Sequence, residues 1–573
     1  MTLPLIAIGF LALLALGYRW HSARIARTIG LDDARVTPAH AQRDGVDYVP
    51  TRPFYLFSQH FSAIAAAGPI AGPIAACKAF GWLPCLAWIA LGVVFIGAVH
   101  DFLALAASLR HGAQSLAGIT RAQLGAPAGR TLLWFLLISL AYVVVAFTDM
   151  TAQTFLSGDE AFAGEAVAFN AGGAVALASV LYLGLGLLLG LVQRLAPRAP
   201  LWLLTVLFVP ATFLLCWSGS LPAWSRWLAL DGADGYRTWC LLILGYCALS
   251  SLLPLRVLLQ PRGYLGGFVL FAALAAGAVG ILLGEAKGGY VITQPMWKGF
   301  DVGGPTGLLF PFLFVTIACG ACSGFHGLVC SGTTSKQVDR ESHARPIGYG
   351  AMLAEAFVAL VALAIVMTAA PETAGATPGK IYGDGIGRFL ALLVGDEHRR
   401  FVTTFGAMAF STFVFDTLDV STRLARHLVQ ELLGRKGSGS VALATVLALA
   451  APAAILLLAE RGDSLRFWIL FGTSNQLLAA LTLLTLSAWL KGLGRPIGWV
   501  AAPMLFVLAT TAIALVQLAW TNLAAAAAKW SDGAGGIELA NGAAALLLLA
   551  LAAFLVAKAA PRLLAPAAAG AAP

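Results

Sequence analysis

The chain has 573 residues, of which 59% are hydrophobic and 11% charged, with a mean hydropathy of +0.84. That balance places it in a membrane and leaves no stretch for a sizeable water-soluble domain. The net charge of +9 does not mark a nucleic-acid binder, because the basic residues are scattered through short loops between apolar spans instead of gathering on one face.

With about 20 apolar residues as the length that crosses a bilayer, the sequence predicts an all-α polytopic membrane protein. Its about fifteen helices are 3–18, 54–77, 82–109, 131–156, 172–193, 200–217, 238–259, 264–284, 306–332, 346–370, 400–422, 440–459, 466–490, 497–520 and 536–558. The first has no basic stretch before it and no clear small-residue cleavage site after it, so it reads as an anchor and not a signal peptide. The Arg-rich loop 19–53 sets the orientation: with the N-terminus outside, inside loops hold 24 of the 36 Lys and Arg residues. The loop 157–171, with Asp159, Glu160 and Glu165 and no basic residue, is then external. An odd number of spans puts the C-terminus in the cytoplasm.

Two spans are interrupted by small residues and carry a histidine. In 54–77 these are His60 and Gly68-Pro69-x-x-Gly72-Pro73; in 306–332 they are Gly320, Gly324, His326 and Gly327. A broken helix frees backbone groups that only protein or a watery cavity satisfies, so such segments point to a solute pathway. The predicted topology runs them in opposite directions, as an inverted repeat requires. Five spans in 54–217 and five in 306–490 then give two repeats, flanked by an N-terminal helix and basic loop (1–53), a helix pair (218–305) and C-terminal helices (491–573).

Buried polar residues cluster on the third helix of each repeat: Thr148, Asp149 and Thr151 in the first, and Ser411, Thr412, Asp416, Thr417 and Asp419 in the second. Asp416 and Asp419 lie three residues apart, on one helix face, where two carboxylates share a proton or hold a cation with nearby hydroxyls. The alternative for Asp419 is a pairing with Arg423 at the cytoplasmic end. His100 and Asp101, near the cytoplasmic end of 82–109, and His60, beside Ser58 and Gln59, are candidates to relay a coupling proton or meet a carboxylate, against a purely structural role. Glu355, Asn475 and Gln476 stand between packing and pathway lining.

All eight cysteines (Cys77, Cys85, Cys216, Cys240, Cys247, Cys319, Cys322 and Cys330) fall in or beside apolar spans, where they act as small hydrophobes and imply no disulfide framework. Cys319, Cys322, His326 and Cys330 formally resemble a soft-metal set, but glycines break the helix that would align them. Ser323 with His326 lacks a third member or oxyanion loop for hydrolysis.

Several longer motifs resemble the carbon starvation protein A (CstA) family. They are Asp44-Gly45-Val46-Asp47-Tyr48-Val49-Pro50-Thr51, His60-Phe61 with the Gly-Pro run, Gly97-Ala-Val-His100-Asp101-Phe102, and Ser323-Gly-Phe-His326 through Lys336-Gln337. Arg345-Pro-Ile-Gly-Tyr-Gly350, Thr417-Leu-Asp419-x-x-Thr422-Arg423 and Ser474-Asn475-Gln476-Leu477-Leu478-Ala479 complete the set. The resemblance runs from about residue 30 to about 490. It implies a bacterial inner-membrane secondary transporter of the amino acid/polyamine/organocation superfamily, with a LeuT-like five-plus-five fold, taking up pyruvate or peptides. The chain departs from the pattern at Gln59, where many members carry histidine, and at Cys322 and Cys330.

The combined expectation is a cation-coupled symporter importing a small carboxylate or short peptide in carbon starvation. Protons are favoured over sodium, and no cofactor or nucleic-acid partner is expected. Substrate binding is assigned to His60, Gly68, Gly72, Ser323, Gly324 and His326. Coupling is assigned to Asp416, Asp419, Thr417, Ser411, Thr412, Asp149, His100 and Asp101. A channel is the second reading, opposed by the lack of a charged ring or filter repeat, and an intramembrane enzyme the third.

Overall fold

A computed structural model describes the chain except residues 1, 45–46, 157, 161–168, 256, 371–375, 435–437, 460–463, 533–534 and 566–573. Expectations resting on Gly45, Val46 and Glu165 therefore lie outside the described residues. In chain order the principal helices are α1 (Leu3–Ile29), α2 (Pro53–Ile64), α3 (Gly68–Phe80), α4 (Trp82–Arg110), α5 (Ala126–Phe155), α6 (Ala171–Leu195), α7 (Leu201–Gly219), α8 (Gly232–Leu252) and α9 (Leu259–Gly288). They continue with α10 (Leu309–Thr316), α11 (Gly324–Gly332), α12 (Glu341–Met367), α13 (Pro378–Val394), α14 (Arg399–Leu433), α15 (Gly439–Leu458), α16 (Leu465–Gly492), α17 (Gly498–Lys529) and α18 (Gly536–Leu564).

Among the described residues, twelve helices are long and apolar enough to cross a membrane, and the pair α2–α3, bent by 44°, makes thirteen. The chain is thus an all-α multi-pass membrane protein, with fewer full-length spans than the fifteen expected. The shortfall has two sources. The segment 306–332 forms two helices of eight and nine residues, each only about 12–14 Å long against a hydrocarbon core of about 30 Å. The 21-residue α8 opens with Asp234 and Arg237, which shortens its apolar run. Among the principal helices, α13 was not expected; its Lys380, Asp384 and Arg388 fall at four-residue intervals along one face.

Two compact units make up the chain. The first comprises Met1–Ile6, Leu140–Gln294 and Val361–Phe467; the second comprises Ala7–Ser139, Pro295–Leu360 and Trp468–Pro573. Each expected repeat therefore contributes its broken segment to the second unit and most of its third helix to the first. Within the first unit α13 and α14 cross closely, because Gly406 lets the backbone approach Gly383: a Cβ on Gly406 would stand 2.3 Å from the Gly383 carbonyl oxygen. Within the second, both expected segments are broken, but in 54–77 the break precedes the Gly-Pro run, and Gly68, Pro69, Gly72 and Pro73 lie in the helix that follows it. Ala65–Ala67 separates α2 from α3, and Ile317–Ser323 separates α10 from α11. Pro69 sits in the first turn of α3, where its missing N–H costs no helical hydrogen bond.

Candidate functional site

In the second unit, breaking the helix at Ser323 places His326 in the first turn of α11, close to residues of α4 and α12. Its Nδ1 lies 2.9 Å from Asp101 Oδ2 and its Nε2 lies 3.3 Å from Glu355 Oε2. Asp101 also holds His100, whose Nδ1 is 2.7 Å from Oδ1. All four side chains are buried. His100 Nε2 and both Glu355 oxygens have no hydrogen-bond partner among the described residues. A neutral imidazole has one N–H, which Asp101 accepts; a second proton on Nε2 or on Glu355 completes the contact with Glu355. The trio therefore can change its proton count by one with little movement of heavy atoms. His60 stands on the preceding segment, with Nδ1 2.9 Å from Thr334 Oγ1 and Nε2 3.8 Å from Cys330 Sγ.

The amide of Asn475 on α16 fixes the break. Its oxygen accepts the Phe325 backbone N–H at 2.8 Å, and its nitrogen donates to Ser323 Oγ and Cys319 Sγ, each at 3.1 Å. One side chain thus satisfies a free donor of the α11 N-terminus inside the membrane. Gly68, Gly72 and Gly324 are contact points. Added Cβ atoms would lie 2.5 Å from Cys319 Cβ, 2.6 Å from the Thr316 carbonyl oxygen and 2.5 Å from the Ala479 backbone nitrogen, respectively. These glycines let broken segments and α16 pack closely.

In the first unit the carboxylates meet a cation that the sequence reading placed in a loop. Arg262 Nη2 bonds Asp416 Oδ1 and lies 2.8 Å from Asp419 Oδ2. Tyr246 donates to Asp419 Oδ2 at 2.8 Å, and Tyr182 donates to the Arg262 carbonyl at 2.8 Å. Arg423 instead donates to the Ser250 and Leu253 carbonyls, so the ion pair of Asp419 is with Arg262. Asp149 accepts from Tyr236 at 2.6 Å and from Gln153 at 3.0 Å. Helix α8 thus supplies a phenol to the carboxylates of both third helices. Ser411 Oγ lies 2.7 Å from Ser179 Oγ, and Thr417 donates to Phe413 O of its own helix. Arg262, Tyr246, Tyr182 and Tyr236 were missed, as was Thr334. No group of three or more His, Cys, Asp or Glu side chains suited to a metal is present among the described residues, and the eight cysteines are all free and buried.

At the ends of α4 and α12, the loop after α1 forms a clasp within the second unit. Glu341 accepts from Arg110 Nε at 2.6 Å and from the Asp32 backbone N–H at 2.7 Å. Asp33 accepts the backbone N–H and hydroxyl of Ser342, each at 2.8 Å, which holds its carboxyl below the usual range.

A multi-pass helical protein with two interrupted spans and buried ionisable clusters has the form of a membrane transporter. The family model described as "Carbon starvation protein CstA" matches residues 1–381 and 367–514. The chain belongs to this family. It is similar to the "Peptide transporter CstA" of Escherichia coli (strain K12), at 30% identity over 92% of this chain and 80% of that protein. The same-named protein of Campylobacter jejuni is 29% identical over 89% of this chain and 80% of its own length. The "Pyruvate/proton symporter BtsT" of Escherichia coli (strain K12) is 35% identical over 62% of this chain and 48% of that protein. Among solved structures, the manganese transporter of Eremococcus coleocola, in complex with an aromatic bis-isothiourea substituted compound, has a TM-score of 0.48 and 12% identity, covering 91% of this chain and 99% of that one.

Proposed function

We propose that this chain is a proton-coupled symporter of the bacterial inner membrane, with its N-terminus periplasmic and C-terminus cytoplasmic. It imports a small carboxylate such as pyruvate or a short peptide. The observation that carries the reading is His326, buried between Asp101 and Glu355 at the start of a half-helix. Titratable groups at membrane depth are costly and mark ion or proton pathways, and this trio takes up a proton to complete the His326–Glu355 contact and breaks that contact when the proton leaves. Both cargo classes are taken from the names of relatives, one a peptide transporter and one a pyruvate/proton symporter. Transport by this route needs no prosthetic group, since binding, release and proton exchange are its only chemistry.

The test is uptake of labelled pyruvate and of a labelled dipeptide into proteoliposomes, with a pH gradient, with a sodium gradient and with neither. Accumulation of either cargo driven by the pH gradient alone supports the reading. Equilibration with no accumulation under any gradient, and no counterflow, would replace the carrier with a channel.

A further inference from the structure

We propose that Arg262, Asp416 and Asp419 form a proton-released binding site for a carboxylate. The proposal goes beyond the symport reading and rests on it only for the carboxylate nature of the cargo.

The site holds one guanidinium and two carboxylates. Arg262 is fully buried although it is the largest side chain in that condition. A single nitrogen, Nη2, serves both Asp416 and Asp419. Nε and Nη1, which carry three of the five N–H donors of a guanidinium, have no partner among the described residues. Asp419 Oδ1 and Thr412 Oγ1, the latter one turn before Asp416 on α14, are likewise buried and unpartnered. Buried polar groups are normally paired, and buried arginines normally use their planar fork against an anion in two parallel bonds. Unused donors therefore point to an acceptor yet to arrive, and a planar carboxylate is the group that matches them.

Asp416 is the member through which the site opens. Its side chain is 18% exposed, against 1% for Arg262 and 0% for Asp419. Across from it is Gly266 of α9, where a Cβ would lie 3.3 Å from Asp416 Oδ2. Asp419 is the fixed partner, held by the Tyr246 hydroxyl as well as by Arg262. The other titratable or charged groups facing the cluster are Tyr182 on α6, Tyr246 and Cys247 on α8, and Arg423 on α14. Tyr182 and Tyr246 are engaged as donors, and Arg423 is turned to backbone carbonyls.

The exchange is balanced in charge. A proton goes to Asp416, the Arg262–Asp416 ion pair opens, and the incoming carboxylate takes the released N–H donors together with the unused ones. One proton and one anion enter together, so the net charge of the site is unchanged. Without the proton, a third carboxylate beside one guanidinium would be repelled by the other two.

The test measures binding to the purified full-length protein in detergent. The probes are pyruvate, dialanine and dialanine amide, which lacks the carboxylate. Thermal stabilisation reads binding, and an indicator dye in weak buffer reads protons taken up. The wild type should bind one or both acids but not the amide, with about one proton taken up per anion and affinity falling about tenfold per pH unit where Asp416 is ionised. Asp416→Asn should bind the acid with no proton uptake and a flat pH profile. Arg262→Gln and the milder Arg262→Lys, each checked for a monodisperse profile, should weaken binding, with the lysine variant retaining part of it. Proton uptake that persists in Asp416→Asn and vanishes in Glu355→Gln would overturn this proposal and leave the symport reading standing. Binding of pyruvate to a folded Arg262→Lys variant with wild-type affinity and pH profile would overturn it too. Failure of the wild type to bind any carboxylate would sink both.

Discussion

The side-chain oxygen of Asn475 lies 2.8 Å from the backbone nitrogen of Phe325, joining α16 to the first turn of α11. A helix that starts in the interior of a membrane protein has N–H groups that water does not reach, and here a side chain from another helix supplies the acceptor. The same amide donates to Ser323 and Cys319 on the unwound side of the break. Replacing Asn475 with leucine removes both functions and strands a buried donor. We expect a loss of about 1–3 kcal/mol, measured by thermal unfolding in detergent. Asn475→Asp keeps the acceptor and should unfold closer to wild type; equal damage from both substitutions would mean that the capping contact is not what stabilises the break.

A second expectation concerns the buried acid beside His326. Glu355→Gln preserves volume and leaves an acceptor near Nε2, yet it removes the charge and the proton-binding group. Gradient-driven accumulation of cargo in proteoliposomes should fall well below that of the wild type, while counterflow between cargo pools and proton uptake at Asp416 on binding persist. A variant that accumulates cargo as the wild type does would take Glu355 out of the coupling path.

The broken segments were legible because Gly-Pro pairs and glycine runs inside apolar spans have a direct structural meaning; the second break contains Gly320, whereas the first falls at Ala65–Ala67, just before the Gly-Pro run that opens α3. His326, His100 and Asp101 were legible one at a time as costly polar groups. Their meeting was not, since it depends on how α4, α11 and α12 pack. Arg262 was lost for a different reason. It follows Pro261 and precedes Gly263, so an apolar window starting at 264 left it in a loop, whereas the helix starts at Leu259. A proline in the first turn is compatible with a helix start, and that signal would have moved the boundary. Helix α13 escaped because its charged face lowers its average hydropathy below that of a span. Its regular charge spacing was the clue.

A third expectation fixes the orientation. All eight native cysteines are buried, which favours single introduced cysteines as reporters. Asp159 and Arg35 have side chains 51% and 52% exposed. On the proposed orientation, with the N-terminus outside, Asp159→Cys should react with an impermeant reagent applied outside intact cells, and Arg35→Cys should react only after permeabilisation. The reverse pattern would invert the topology and, with it, the direction assigned to both broken segments.

The last expectation separates two glycines that a sequence reading treats alike. A Cβ on Gly68 would meet Cys319 Cβ at 2.5 Å, whereas one on Gly72 would meet the Thr316 backbone oxygen at 2.6 Å. Overpacking at either position should cost about 1–3 kcal/mol for alanine. The first clash is with a side-chain atom, so Cys319→Gly should restore much of the stability of Gly68→Ala; Asn475 keeps its contact with Ser323 in that background. The second is with main chain, which no substitution at Thr316 removes, so Thr316→Gly should not rescue Gly72→Ala. Gly72→Leu should fail to give a monodisperse protein at all. A double-mutant cycle read by thermal unfolding supplies the comparison. Rescue at both sites, or at neither, would mean that α3 and the segment after α10 do not approach as closely as the two glycines allow.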